Sequence, residues 1–315
     1  MRFAPASRVR RLALLTAAAC SLLGAVERVV DPGGERIEGA LNALRHRVIE
    51  FVRRYHRLQI DVEAGALDEP VLFVANHGFG GVVDLNVMAV GAVVEDLKLT
   101  RPVTFLTHQL AWTLGVGPIV EHLGARPASR ESAHEAFAEG HHVVVFPGGD
   151  VDAAKKFTDR NHIVFGGRSG FAQLAMDEGV SVVPIVTAGA GESLLVLSDG
   201  QRLARALRLD ELLRVKALPT SLSLPWGLNT GAVGMLPYLP LPSKLHTRVL
   251  AATTAPTINT MAATDTKGST AAAASVCFLN KVCANTPSTT GSNTIFKIDQ
   301  NIATAEISSH WLAKR

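Results

Sequence analysis

The sequence predicts an α/β fold: a mostly parallel sheet flanked by helices, preceded by an amphipathic helix and followed by an irregular tail. Two observations carry this. Four apolar, β-rich runs recur through the middle of the chain: VLFVA (71–75), VTFLT (103–107), HVVVF (142–146) and SVVPIVT (181–187). Helix-like segments separate or flank them, over 84–97, 108–123 (interrupted by Gly-Val-Gly-Pro), 131–139 and 170–178. Strands alternating with helices build βαβ units. Runs that are apolar throughout, not at every second residue, suit strands covered on both faces.

Taken in order, residues 1–30 form a basic and apolar segment. Arg2, Arg8, Arg10 and Arg11 precede the uncharged run Leu12–Val26. That run is shorter than the roughly 20 residues of a spanning helix. It matches either a signal-peptide core or a helix lying against a membrane, and the second reading is favoured here. Pro32-Gly33-Gly34 then breaks the chain. Within 31–60, Ile37, Leu41, Leu44, Val48, Phe51 and Tyr55 recur at spacings of four and three, which puts them on one helical stripe with Arg36, Arg47, Arg53, Arg54 and Arg57 away from it. Such a helix suits either an interfacial anchor or a helix docked on its own domain. Residues 61–250 form the main domain. Its last third is expected to hold an Arg-rich helix over Asp199–Lys216, then irregular apolar loops rich in Pro, up to Pro242, fit to cover a pocket or touch lipid. Residues 251–315 change character, with twelve Thr and one of the 22 Arg, and are expected to be disordered or atypical.

The formal charge of +3 is too small to argue for nucleic acid, but it is unevenly spread. Up to Arg57 there are eleven Arg, five acidic residues and no Lys, an excess that favours an anionic surface such as phospholipid headgroups. Cys20, Cys277 and Cys283 fit neither a metal-ligand spacing nor an even disulfide framework, which suits the cytoplasm. His134-Glu135 lacks a second His four residues on, since position 138 is Ala, and adjacent His141 and His142 would point to opposite faces of a strand. No metal and no cofactor is expected.

The chemistry concentrates in VANHGFGGVVD, Val74–Asp84. A histidine at the carboxyl end of a parallel strand stands where open α/β sheets place ligands. Neutral imidazole can take a proton from a hydroxyl near neutral pH. Asp84 would hold the other ring nitrogen, and the glycine N–H groups or the next helix N-terminus could face a developing oxyanion.

Further blocks give this pair a context. LGARPASRESA (123–133), VVVFPGGDVDA (143–153), FGGRSGFAQLAMDEG (165–179) and GVSVVPIVTAGAGES (179–193) follow in order. With NHGFGGVVD, they resemble the glycerolipid acyltransferase superfamily, which includes lysophosphatidate acyltransferases and diacylglycerol-acyltransferase-like enzymes. The resemblance covers about 71–193, and the proline-rich elements extend it towards 250. It implies transfer of a fatty acyl chain from acyl-CoA or acyl carrier protein to a glycerolipid or other lipid hydroxyl. His77 would be the general base and Asp84 its orienting acid. Arg130, Gly148, Gly149, Asp150 and Arg168 would be substrate-binding. Membrane lipids would be partners, at the cytoplasmic face of the cell membrane.

Two departures qualify the likeness. The common pattern has four residues between His and Asp, whereas six separate His77 from Asp84, so the glycine turn must fold back for them to meet. Phe146-Pro147-Gly148-Gly149 replaces the Phe-Pro-Glu-Gly of the lysophosphatidate branch, which puts an acceptor phosphate in doubt. A hydrolase using water on the same site, or a non-catalytic membrane-associated relative, are the alternative readings.

Overall fold

The computed structural model describes residues 35–78, 84–113, 115, 117–165, 168–209, 211, 215–224, 226–231 and 238–254. The expected N-terminal segment, the turn Phe79–Val83 and the tail beyond 254 lie outside the described residues.

A long helix, α1 (Glu35–Tyr55), leads into β1 (Gln59–Val62) and β2 (Val71–Ala75). Then come α2 (Leu85–Leu97), β3 (Val103–Thr107), two short helices α3 (Leu110–Thr113) and α4 (Gly117–Glu121), and β4 (Ala125–Pro127). Helix α5 (Arg130–Ala138) precedes β5 (His142–Val145), and α6 (Gly149–Ala153) and α7 (Gly170–Glu178) precede β6 (Ser181–Ala188). The remainder holds β7 (Leu195–Ser198), α8 (Gln201–Ala206), β8 (Thr220–Ser223), β9 (Gly227–Thr230) and β10 (His246–Val249). None of the described helices is long and apolar enough to cross a membrane.

Seven strands form the main sheet in the order β1-β10-β6-β2-β5-β3-β4. The four predicted strands are its centre, all mutually parallel. Strand β10 enters antiparallel to β6 and carries β1 parallel to itself. Every residue of β2 is buried, as a central strand covered on both faces requires. Leu72 and Val74 face Ala133, Ala136 and Phe137 of α5 and Phe171 and Ala172 of α7. Val71, Phe73 and Ala75 point the other way, towards Val90 and Val93 of α2. The alternation follows from the two-residue period of the pleat.

Helix α1 departs from the predicted stripe. Ile49 and Val52 are the residues it buries, and Arg53 bonds Asp96 (2.8 Å) and the Ala92 carbonyl (3.1 Å) on α2. Leu44 and Phe51, two residues of that stripe, are exposed. The helix has two apolar faces, and the one that also offers Arg53 a carboxylate and a carbonyl is the one that docks.

Two further expectations fail in the last third. The helix predicted over Asp199–Lys216 is interrupted: α8 ends at Ala206, Arg208 takes a left-handed φ of 52°, and Leu209 and Glu211 are again helical. The proline-rich stretch is not all loop, because β7, β8 and β9 form a separate antiparallel sheet. Its prolines lie outside the strand residues, so the ladder loses no donors.

Candidate functional site

Strand β2 ends at Ala75 and delivers Asn76 and His77 to the carboxyl edge of the sheet. Asn76 is buried and knits this edge together. Its amide donates to the Thr187 carbonyl (3.1 Å) and accepts from the Thr187 N–H (2.9 Å), while Asn86 donates to the Asn76 carbonyl (3.0 Å). Gly78 must be glycine for steric reasons: a Cβ there would lie 2.6 Å from the Ala190 Cβ and 2.8 Å from Asn86 Oδ1.

His77 and Asp84 meet despite the widened spacing. His77 Nδ1 donates to Asp84 Oδ2 at 2.7 Å, since a carboxylate can only accept. That bond fixes the Nδ1–H tautomer and leaves the Nε2 lone pair available. The other carboxylate oxygen caps α2, accepting from the N–H groups of Asn86 (2.8 Å), Val87 (3.3 Å) and Gly78 (3.4 Å). Helix capping and histidine orientation are thus one device. The expected use of these N–H groups towards an oxyanion fails for Gly78, Asn86 and Val87, because Asp84 already occupies them.

The His77 backbone is held as firmly as its ring. Asp152 on α6 accepts from the His77 N–H (2.8 Å) and the Val164 N–H (3.0 Å), and Lys155 Nζ donates to Asp152 (2.7 Å) and to the His77 carbonyl (3.3 Å). Asp152 is wholly buried. The His77 ring, with its side chain 20% exposed, lies 4.7 Å from that of Phe146 at a tilt of 34°. Desolvation pulls the imidazole pKa down, Lys155 adds to that pull, and the attraction and hydrogen bond of Asp84 together with the charge of Asp152 outweigh them. The net shift is upward from 6.5. Tyr238 lies near enough to feel Asp84, and burial and that negative charge push its phenol well above its usual range.

Gly148, Gly149, Asp150 and Arg168 come together beside this cluster. Arg168 donates to the Gly148 carbonyl, to the Pro147 carbonyl (3.3 Å) and to Asp150 (2.9 Å). The second Asp150 oxygen accepts from the Lys216 N–H. Gly149 has φ +49°, and a Cβ there would lie 2.7 Å from Arg168 Nη1. These contacts shape a turn directly after Phe146. Arg130 stands apart: its side chain is 66% exposed and pairs with Asp177 on α7 (3.0 Å). Lys155 and Tyr238 escaped sequence reasoning. Only the three-residue spacing of Asp152 and Lys155, which lets two opposite charges meet across the end of a helical turn, could have signalled the first.

Residues 48–188 match the model of the family described as Acyltransferase. An uncharacterized protein of Mycobacterium leprae (strain TN) is 29% identical over 201 residues, which cover 62% of this chain and 51% of that protein. The "DGAT1/2-independent enzyme synthesizing storage lipids" of Gallus gallus is 27% identical over 189 residues, covering 60% and 54%. The chain therefore spans about half the length of the curated relatives it matches. The crystal structure of the 1-acyl-sn-glycerophosphate (LPA) acyltransferase PlsC from Thermotoga maritima aligns over 77% of this chain and 86% of that one, at 15% identity and a TM-score of 0.39. The matched segment holds the His77–Asp84 pair, the Pro-Gly-Gly turn and the parallel strands behind them, and through it the chain is similar to the family described as Acyltransferase.

Proposed function

We propose that the protein transfers a fatty acyl chain from a thioester, acyl-CoA or acyl carrier protein, to a hydroxyl of a glycerolipid or another lipid alcohol at a membrane surface. The observation that carries this reading is the 2.7 Å bond between His77 Nδ1 and Asp84 Oδ2 at the end of a family-matched strand. His77 Nε2 takes the proton of the acceptor hydroxyl as its oxygen attacks the thioester carbonyl. The C–S bond breaks, an ester forms, and the imidazolium returns the proton to the departing thiolate. Asp84 orients the ring and stabilises the imidazolium. A thioester already carries a good leaving group, so base and positioning suffice, and no acyl-enzyme is required.

Purified protein is incubated with radiolabelled oleoyl-CoA and a panel of lyso-lipids, diacylglycerol and long-chain alcohols, and the products are separated. Labelled ester is expected with at least one acceptor. In His77→Ala the rate should fall on the order of 10²–10⁴-fold, the usual contribution of a general base. Undiminished turnover in that variant would overturn the assignment. Fatty acid released without acceptor would instead identify a hydrolase.

A further inference from the structure

The small sheet is built inside out. Ser221 and Ser223 of β8 are 0% and 4% exposed, whereas Leu222 between them is 47% exposed. Leu222 pairs with Leu228 of β9, which is 65% exposed, and Leu224 bridges to Leu239, both 55% exposed. A solvated antiparallel sheet shows the opposite alternation, with polar residues outward. The leucines are also continuous with a second outward apolar surface. Tyr55 of α1 donates to the Pro240 carbonyl (3.0 Å), between Leu239 and Leu241, and stacks on Phe51 at 4.9 Å. The face of α1 that is left undocked, with Leu44 and Phe51, therefore runs into the leucines of the sheet.

The charge around this surface is predominantly positive, with Glu50 pairing Arg54 and Glu63 pairing Arg248 as partial counterweights. Arg45, Arg47, Arg54 and Arg57 of the α1 region are exposed. From 212 to 250 the chain has Arg214, Lys216, Lys244 and Arg248 and no Asp or Glu. Contiguous apolar area rimmed by cations is what an anionic bilayer complements, burying the apolar part while headgroups meet the arginines.

We propose that the outward face of β8 and β9, together with the undocked face of α1, is a docking surface for a lipid bilayer bearing anionic headgroups. The acyltransferase reading supplies the purpose, bringing the site to its lipid acceptor. The surface is the same whether or not that chemistry is right. The exposed Leu241 donates its N–H to the Ser193 carbonyl (2.8 Å), and Ala190, three residues before Ser193, packs against Gly78 next to His77, so a bilayer on this face would lie close to the site.

Trp226, in the turn between β8 and β9 and 49% exposed, reports on this surface. In the full chain with Trp112→Phe and Trp311→Phe it is the remaining tryptophan. Vesicles of phosphatidylglycerol and brominated phosphatidylcholine should quench its emission and shift it to the blue. Leu222→Ser with Leu228→Ser should abolish the quenching without lowering the melting temperature, because both side chains are already solvated. Arg47→Gln and Arg54→Gln should each weaken vesicle affinity roughly fivefold. An unquenched Trp226 on chain that floats with the vesicles would overturn the proposal. So would a lipid-independent dimer broken by the leucine substitutions, which would assign the face to a second copy. Shielding of Trp226 from acrylamide before lipid is added would do the same, assigning it to another segment of the chain. His77→Ala should be quenched like the parent, so a failed transfer assay and a failed docking assay are told apart.

Discussion

His77 is constrained at three atoms, and each constraint has an electrostatic consequence. Asp84 holds Nδ1, Asp152 holds the backbone N–H, and Lys155 holds the backbone carbonyl. The charged groups facing the ring are these three, with the Tyr238 phenol near Asp84. A base must be neutral to act, so turnover should rise with pH through the raised pKa of His77. Removing the negative charge in Asp152→Asn should lower that pKa and extend activity to more acidic pH. Removing the positive charge in Lys155→Met should raise it and move the acid limb of kcat/KM to higher pH. The two shifts have opposite signs, which simple loosening of the loop would not produce. NMR titration of the His77 ring checks both without relying on turnover, and shifts of the same sign would count against the arrangement.

Strands β2, β6 and β10 meet just behind this histidine. Asn76 clasps Thr187 of β6, whose hydroxyl bonds that of Thr247 on β10 at 2.9 Å, both threonines being buried. Thr247→Val keeps the shape but leaves the Thr187 hydroxyl without this partner, and should cost about 1–3 kcal/mol. The double change to valine should cost clearly less than the sum of the singles, because it removes both polar groups; urea denaturation of the four proteins measures this. The central strands were legible in the sequence because burial on both faces leaves an uninterrupted apolar run, as in VLFVA. Strands β1 (QIDV) and β10 (HTRV) were not, since they are four residues long and mix polar with apolar residues. The His77–Asp84 pair was legible from residue types and order. The Asp152–Lys155 clamp was not, because DVDAAK reads locally as a loop and shows its meaning only when α6 is laid against the end of β2. The α1 stripe left its packing open for a related reason: periodicity identifies an apolar face, not which of two such faces meets the protein.

Across the fold, histidines sit in environments of opposite kind, and their protonation links stability to pH. His56 joins α1 to Ser243 (3.1 Å), and His142 opens β5 with Nδ1 accepting the Val71 N–H (3.3 Å); both are wholly buried. Burial lowers both pKa values, opposed at His56 by a hydrogen bond with the Ser243 backbone and reinforced at His142 by the charge of Arg101. The unfolded chain then binds protons that the folded one resists. Their contribution is complete above about pH 6.5, the ordinary histidine value, and is lost as pH falls below it towards the lowered folded values. His77 has the reverse sign. Its raised pKa stabilises the fold below about pH 6.5, and that contribution disappears as pH rises through the folded value. The proposed catalysis requires the neutral ring, so activity is expected where His77 no longer contributes this stability and the two core histidines contribute in full. His142→Asn offers an amide oxygen where Nδ1 stands and cannot take up a proton. Urea unfolding between about pH 5.5 and 7.5 should therefore show a shallower acid loss in this variant than in the parent. His77→Gln should show a steeper one, and equal slopes in all three proteins would sink the linkage.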